Sequence, residues 1–232
     1  MIFWSLAAYL LVVGAAPASM ASPTDAEILD RIYRSATAFG EKYPGNYSRR
    51  KVTVREFDPD DGELKKSKVM LQDVWAYAGK KTRVEVLSCT IDGEEADRED
   101  CQPMGDGGSG PTYRMFGDEG RKHYRLELSG KVEFEGVPVY RIRVIPRERT
   151  KRHFDGELYF KTDDLRLMAS IGTLADYPIG VRKLDLELTY EELDGYPVPG
   201  RNKMDMTLYL PLVLNMRVVS ESIASEQRLL TE

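Results

Sequence analysis

A glycine-rich stretch with one serine, CQPMGDGGSGP at residues 101–111, is the first place in this chain where chemistry could reside. A nucleophilic serine needs a histidine as its base and an acid that orients the histidine. In serine proteases of the trypsin type, an aspartate directly precedes the serine, and both partners lie earlier in the chain. Here two glycines separate the aspartate from Ser109, and both histidines, His123 and His153, follow it. We therefore interpret the stretch as a connecting loop.

The histidines allow one other chemistry, since His153 and Asp155 could form a pair in which the carboxylate orients a general base. Residues two apart on a strand share a face only as exposed neighbours, and no serine or cysteine is placed to use the base. Asp163 and Asp164 are typical of a turn, and the acidic residues 92–100 lack the ligand spacing of a calcium loop. We expect no catalytic residue, no metal and no cofactor, and keep a hydrolase using His153 as a minor alternative.

Composition and charge limit the function classes. The chain has 232 residues, 42% hydrophobic and 31% charged, which suits one globular domain with its own core. A net charge of −5 provides no attraction for nucleic acid. Residues 1–21 carry no charged side chain, and their apolar run is short for a membrane span and ends in small residues. We predict a secretory signal peptide over 1–21 and one domain over 22–232, with an uncleaved anchor as the alternative.

The chain has two cysteines, Cys89 and Cys101, separated by the acidic segment TIDGEEADRED. An even number of cysteines in an exported protein favours a disulfide, although two free structural thiols are the alternative. The histidines are too distant in sequence for a zinc site with this pair.

One helix is predicted near the start of the mature chain. Thr24 and Glu27 have the spacing of a capping box, and Gly40 or Pro44 is expected to end the helix. Apolar residues recur between them at helical spacing: Ile28, Leu29, Ile32, Tyr33, Ala36 and Phe39.

After the helix the apolar period changes to two, which indicates strands with one apolar and one wet face. About ten or eleven such segments follow without helices between them, so we predict an antiparallel meander. Its single apolar face can be covered if the sheet curls on itself or takes a helix against its concave side. A strongly curved, unclosed half-barrel wrapped around the N-terminal helix satisfies both elements, so we predict a mainly β fold with one α element. The predicted turns are residues 60–62, 129–131, 135–136, 194–195 and 199–200.

The order of these features resembles the LolA-like superfamily of lipoprotein carriers in the bacterial envelope, over roughly residues 24–225. The resemblance is carried by the segments FEGVPVYRIRVIP, RHFDGELYFKTDDLRLMASIG and LDLELTYEELDGYPVP. The matching positions are Gly136, Tyr140, Ile142, Phe154, Gly156, Leu158, Thr162, Asp163, Gly195, Pro197 and Pro199. The resemblance implies an unclosed barrel with an apolar cavity for acyl chains, a periplasmic location, and neither catalysis nor a cofactor.

Alternation along the strands then supplies the expected lining of such a cavity. An acyl chain in water costs about 0.8 kcal/mol per methylene, which a carrier offsets with an apolar concave wall. We predict this lining: Val52, Val54, Val84, Val86, Leu126, Leu128, Ile142, Val144, Leu158, Phe160, Leu184, Leu186, Leu188, Met204, Met206 and Leu208. The same residues could instead form an ordinary core beneath the helix.

Two functions remain open for this fold. The leading prediction is a non-catalytic, monomeric carrier of a lipid or an acylated protein. The alternative is a module that binds an envelope protein, with the segments YPIGV at 177–181 and GYPVPG at 195–200 as exposed contact loops.

Overall fold

The computed structural model describes residues 23–77, 81–102, 115–151 and 153–230. The predicted signal peptide and the loop with Ser109 lie outside these ranges. Within them, the chain forms one antiparallel sheet of eleven strands that does not close on itself, with an N-terminal helix packed on one face. The predicted fold class, an open half-barrel with a helix, is confirmed.

Helix α1 spans Asp25–Lys42. The predicted capping box is present, because the Thr24 side chain accepts a hydrogen bond from the Glu27 amide and the Glu27 carboxylate accepts one from the Thr24 amide. The helix continues past Gly40 and ends at Lys42, with Tyr43 as its C-cap directly before the predicted stop at Pro44. Its buried stripe consists of Ile28, Ile32 and Ala36.

The strands were expected from their alternating pattern, and most extend beyond the apolar residues that predict them. A 3₁₀ turn at Arg98–Asp100 and a short helix α2 at Asp118–His123 lie between the fourth and fifth strands. The strand bounds are β1 Gly45–Phe57, β2 Leu64–Tyr77, β3 Arg83–Ile91, β4 Glu94–Glu95, β5 Tyr124–Phe134, β6 Val137–Pro146, β7 Phe154–Lys161, β8 Leu167–Leu174, β9 Val181–Leu193, β10 Tyr196–Leu210 and β11 Leu214–Leu229.

The sheet is not the single meander that the sequence predicts. Its strand order is β4-β3-β2-β1-β11-β10-β9-β8-β7-β6-β5, so two meanders meet where β1 pairs with β11. The chain therefore crosses from one edge to the other between Glu95 and Tyr124. Pairing the first strand with the last places both ends of the domain in the middle of the sheet.

Two of the predicted turns are wrong. Residues 129–131 lie inside β5, where Gly130 has a positive φ of 111° at a bulge in the pairing with β6. Residues 199–200 lie inside β10, where the pairing with β9 also shifts. A bulge and a turn favour the same residues, because both need unusual backbone angles or a missing donor. The predicted turns at 60–62, 135–136 and 194–195 do connect neighbouring strands.

The outer face of the sheet, opposite α1, carries a ladder of cations and rings across four strands. The register aligns Arg83, Trp75, Tyr47 and Arg228 in one row. The Arg83 guanidinium lies 4.5 Å from the Trp75 ring centre, the two rings are 5.5 Å apart, and Arg228 lies 4.7 Å from Tyr47. Cation–π contacts of this kind stabilise neighbouring strands.

The ladder is joined to a buried carboxylate, Asp73. It accepts hydrogen bonds from Arg49 Nε at 2.9 Å and from the Tyr47 hydroxyl at 2.9 Å. The bond from Arg49, followed by the bond from Tyr47, lowers the pKa of Asp73 although burial raises it. The ionised form is therefore favoured in the folded protein, and its contribution to stability is present at neutral pH.

We expect replacement of Asp73 by asparagine to lower the free energy of unfolding at neutral pH by about 2 kcal/mol, because charge-assisted hydrogen bonds are lost. The wild type should lose this contribution as the pH falls through about 4 toward the lowered pKa, and Asp73→Asn should flatten that part of the profile. Urea denaturation at a series of pH values measures both effects. Asp30→Asn is the matched control, because its partner Arg34 and Asp30 itself are exposed. Equal profiles for the wild type and Asp73→Asn would contradict the prediction.

Candidate functional site

The inner face of the sheet, which carries α1, also carries every residue of the predicted lining. Directly paired residues of neighbouring antiparallel strands point to the same side, so the register can be followed from strand to strand. One such row runs Cys89, Met70, Val52, Ser222, Asn202, Leu188, Ser170, Leu158, Ile142 and Leu128. The predicted lining residues share one face, but the structure divides them into two groups.

The first group lies under the helix and is filled by the protein itself. Ile28, Ile32 and Ala36 of α1 pack with side chains from β5 to β8 in one cluster. Ile142, Val144 and Leu158 are 0% exposed in it. The predicted lining residues of this helix-covered half are Leu126, Leu128, Ile142, Val144, Leu158 and Phe160, and they form a core.

The second group lies on the other half of the inner face, which contains a separate cluster without any residue of α1. Its floor is buried and includes Val52, Val54 and Val218, and Leu184 is buried beside it. The surrounding apolar side chains are only partly buried. We call them the open wall: Val84, Val86, Leu186, Leu188, Met204, Met206, Leu208 and Met216.

The predicted disulfide between Cys89 and Cys101 is present and borders the open wall. Its Cα atoms are 6.2 Å apart, and both cysteines are buried against the floor cluster. Lys68, on the inner face, donates a hydrogen bond from Nζ to the Asp100 carbonyl at 2.9 Å. The bridge and this bond hold the residues after β4 against the sheet.

A polar group at one end of the open half was not predicted from the sequence. Arg50 is buried on the inner face, where it donates from Nε to Ser48 Oγ at 3.0 Å and from a terminal nitrogen to the Pro199 carbonyl at 2.6 Å. Its other terminal nitrogen lies 3.4 Å from Ser222 Oγ. Burial lowers the pKa of Arg50, against the opposing charge of Glu191. The sequence does indicate the face on which Arg50 lies, because Arg50 alternates with Val52 and Val54 along β1.

The structure does not form the His–Asp pair on which the hydrolase alternative depends. The His153 ring packs 5.0 Å from the His123 ring, and its Nδ1 lies 2.8 Å from the Glu148 carbonyl oxygen. The Asp155 carboxylate is paired with Arg143 instead. Among the described residues, no group of His, Cys, Asp and Glu side chains is arranged to hold a metal ion. In the same residues, no helix has the length and hydrophobicity needed to cross a membrane.

Comparison with known proteins gives a likeness in fold. No family model matches the chain, and no curated protein matches its sequence. Among solved structures, it is similar to a putative outer membrane lipoprotein-sorting protein domain from Vibrio parahaemolyticus, with a TM-score of 0.40, 13% identity, and coverage of 87% of this chain and 92% of the other.

Two further structures give comparable values. A DUF1329 family protein from Desulfovibrio piger has a TM-score of 0.39 and 13% identity over 86% of this chain and 92% of the other. The LolA superfamily protein NE2245 from Nitrosomonas europaea has a TM-score of 0.38 and 14% identity over 88% and 94%. One of these structures is of the LolA superfamily, the group that the sequence resembles. At these values neither a family nor a function follows from the likeness.

Proposed function

We propose that the protein is an exported, non-catalytic carrier that binds an acylated or otherwise hydrophobic ligand, a lipid or a lipoprotein, in the bacterial periplasm. It acts as a monomer, with residues 22–232 as one domain after removal of the signal peptide. The observation that carries the proposal is the open wall, where apolar side chains of the inner face stay partly exposed beside a half that α1 fills.

The chemistry of the open wall suits a flexible hydrocarbon chain. Each methylene moved from water to this wall contributes about 0.8 kcal/mol. Met204, Met206 and Met216 are unbranched and adapt their rotamers to chains of different shape.

Charged substitutions on the open wall test where a ligand lies. We expect Leu186→Lys combined with Met206→Lys to weaken the binding of a fluorescent fatty acid by at least about tenfold, because a lysine at either position removes apolar contact area and adds a charge that must be desolvated. Both side chains are partly exposed, so the fold should tolerate them. Probe titration and mass spectrometry of solvent extracts from natively purified protein are the measurements.

Ile223→Lys is the matched control for these substitutions. Ile223 is 48% exposed, and its partners Lys51 and Arg201 place it on the outer face. It should bind the probe as the wild type does. An unchanged affinity in the double variant would show that the probe does not bind on the open wall. Absence of both co-purified lipid and probe binding in the wild type would overturn the carrier proposal.

The alternative, a module that binds an envelope protein, loses one of its two predicted contact loops. Of residues 195–200, only Gly195 lies in an exposed turn, because residues 196–200 begin β10 and Tyr196 packs 6.4 Å from the Phe39 ring of α1. The loop at 177–181 does expose Ile179. Pull-down from envelope extracts with and without this loop distinguishes a protein partner from a lipid ligand.

A further inference from the structure

Two hairpin ends at one edge of the open half form an exposed apolar protrusion. We call it the apolar tip, and its residues are Pro178, Ile179, Leu210, Pro211, Leu212 and Val213. Ile179 is 89% exposed, Val213 is 79% exposed, and Leu212 is fully exposed. Single exposed apolar residues are ordinary, but adjacent exposed aliphatic side chains on a protrusion mark an interaction surface.

The apolar tip is a fixed structure in which the two turns support each other. The Tyr209 amide donates to the Gly180 carbonyl at 2.7 Å, which joins the β10–β11 end to the β8–β9 end. A Cβ atom on Gly180 would lie 3.1 Å from the Leu210 side chain, so the turns are in close contact. The Val213 amide donates to the Leu210 carbonyl at 3.1 Å and closes the second turn.

Leu212 is held in a conformation that folding alone does not favour. Its φ is +61°, in the left-handed region that leucine rarely adopts, and its side chain contributes no buried area. Glycine or asparagine would adopt this left-handed backbone conformation with less strain. A large apolar residue that is both strained and exposed therefore points to a contact outside the protein.

The surroundings of the apolar tip have the composition of a membrane-interface segment. Tyr209 lies directly behind it, with the Arg182 guanidinium 3.4 Å from its ring centre, and Tyr177 lies on the neighbouring turn. Tyrosine and arginine are suited to the headgroup layer, since each combines an apolar body with a polar end.

Charge behind the apolar tip is largely paired within the protein. Lys183 Nζ lies 2.6 Å from Asp185, and Arg217 lies 2.5 Å from Asp205. With most of the nearby charge neutralised in this way, attraction to anionic headgroups is a minor term. Any docking must come mainly from insertion of the aliphatic side chains.

We propose that the apolar tip inserts into the interfacial layer of a lipid bilayer and docks the protein there. A protein partner is disfavoured because the tip itself offers no charged side chain with which to specify one. The strands that end at the tip carry Leu208 and Met216 of the open wall, so docking places the open half next to the membrane. The proposal does not depend on a ligand in the open wall.

Vesicle sedimentation of the full chain tests the docking. We expect binding to pure phosphatidylcholine vesicles, with little change when phosphatidylglycerol or salt is added. Ile179→Ser, Leu212→Ser and Val213→Ser together should weaken it by at least about tenfold, because three inserting side chains are lost. Ile223→Ser, at an exposed position on the outer face, should bind as the wild type does.

A second variant reports insertion directly and is independent of the N-terminal apolar run. The tryptophan fluorescence of Val213→Trp should be quenched by brominated phosphatidylcholine, whereas that of the tryptophan introduced by Ile223→Trp should not. Failure of the wild type to bind vesicles, unchanged binding by the triple variant, or an unquenched tryptophan at the tip would each overturn the proposal. Binding that requires phosphatidylglycerol and disappears with salt would also overturn it. None of these outcomes concerns probe binding on the open wall, so the two proposals fail separately.

Discussion

Replacement of Gly172 by alanine is expected to lower the free energy of unfolding by about 3 kcal/mol, the upper part of the range for an overfilled core. Gly172 in β8 pairs directly with Gly156 in β7, and the Phe154 ring lies across both. A Cβ atom on Gly172 would lie 2.4 Å from the Asp155 carbonyl oxygen and 2.7 Å from Phe154 Cζ. The ring could turn aside, but the carbonyl belongs to the strand pairing and cannot move without distorting it.

Gly200→Ala is the matched control for this effect. The three atoms nearest a Cβ atom on Gly200 would all belong to the Glu191 side chain, the nearest at 2.7 Å, and this side chain can rotate away. Urea or thermal denaturation should therefore place Gly172→Ala well below the wild type and Gly200→Ala close to it. Similar stabilities for the two variants would mean that the glycine pair does not set how closely β7 and β8 approach.

The pair also illustrates how much of the fold follows from local sequence. Gly156 is one of the positions that match the LolA-like pattern, whereas Gly172, in the segment LRLMASIG, is not. A sequence with no alignment does not reveal which two glycines face each other, because that depends on the register between strands. By contrast, the capping box at Thr24 and the turn at Gly195 were predictable, since each depends on residues within one turn of the chain.

The order of the strands was predicted only in part. Consecutive strands pair through short turns, and that rule yields the runs β1 to β4 and β5 to β11 correctly. It does not yield the pairing of β1 with β11, which is a contact between opposite ends of the chain. Such a contact is decided by the apolar area it buries in the finished sheet, and no local residue pattern encodes it.

For the candidate site, the alternation of apolar residues predicts which side chains share the inner face of the sheet, but not which part of that face α1 covers. Leu158 and Leu186 are both apolar residues at alternating positions, yet one is fully buried beneath α1 and the other is partly exposed. The difference arises from where α1 lies, and an amphipathic helix pattern carries no information on which strands it will cover. For Arg50, alternation in β1 indicates the face, but its burial depends on Ser222 and the Pro199 carbonyl from other strands, which the sequence does not place beside it.

Removal of the disulfide, by Cys89→Ala with Cys101→Ala, is the second substitution expected to have a large effect. The cysteines are 12 residues apart, and freeing a loop of this length costs about 3 kcal/mol through the added entropy of the unfolded chain. Denaturant unfolding under oxidising conditions measures the loss. Reductant should destabilise the wild type by a similar amount and leave the double variant unchanged, and a reductant-insensitive wild type would contradict the prediction.

Removal of the disulfide should destabilise one region more than the rest of the protein, because the bridge packs against only one part of the sheet. Cys101 packs with Met70 and Val54 of the floor cluster, whereas the helix-covered half has its own core with no residue in common. Without the bridge, the described residues after β4 still have the bond from Lys68 to the Asp100 carbonyl and the bond from the Ala96 amide to the Cys89 carbonyl. Hydrogen exchange should therefore accelerate in β2 and β3 more than in β6 and β7. Equal acceleration of hydrogen exchange in both halves would show that the sheet opens as one unit. Since β3 supplies Val84 and Val86, the affinity of the open wall for the fatty-acid probe should also fall when the disulfide is removed.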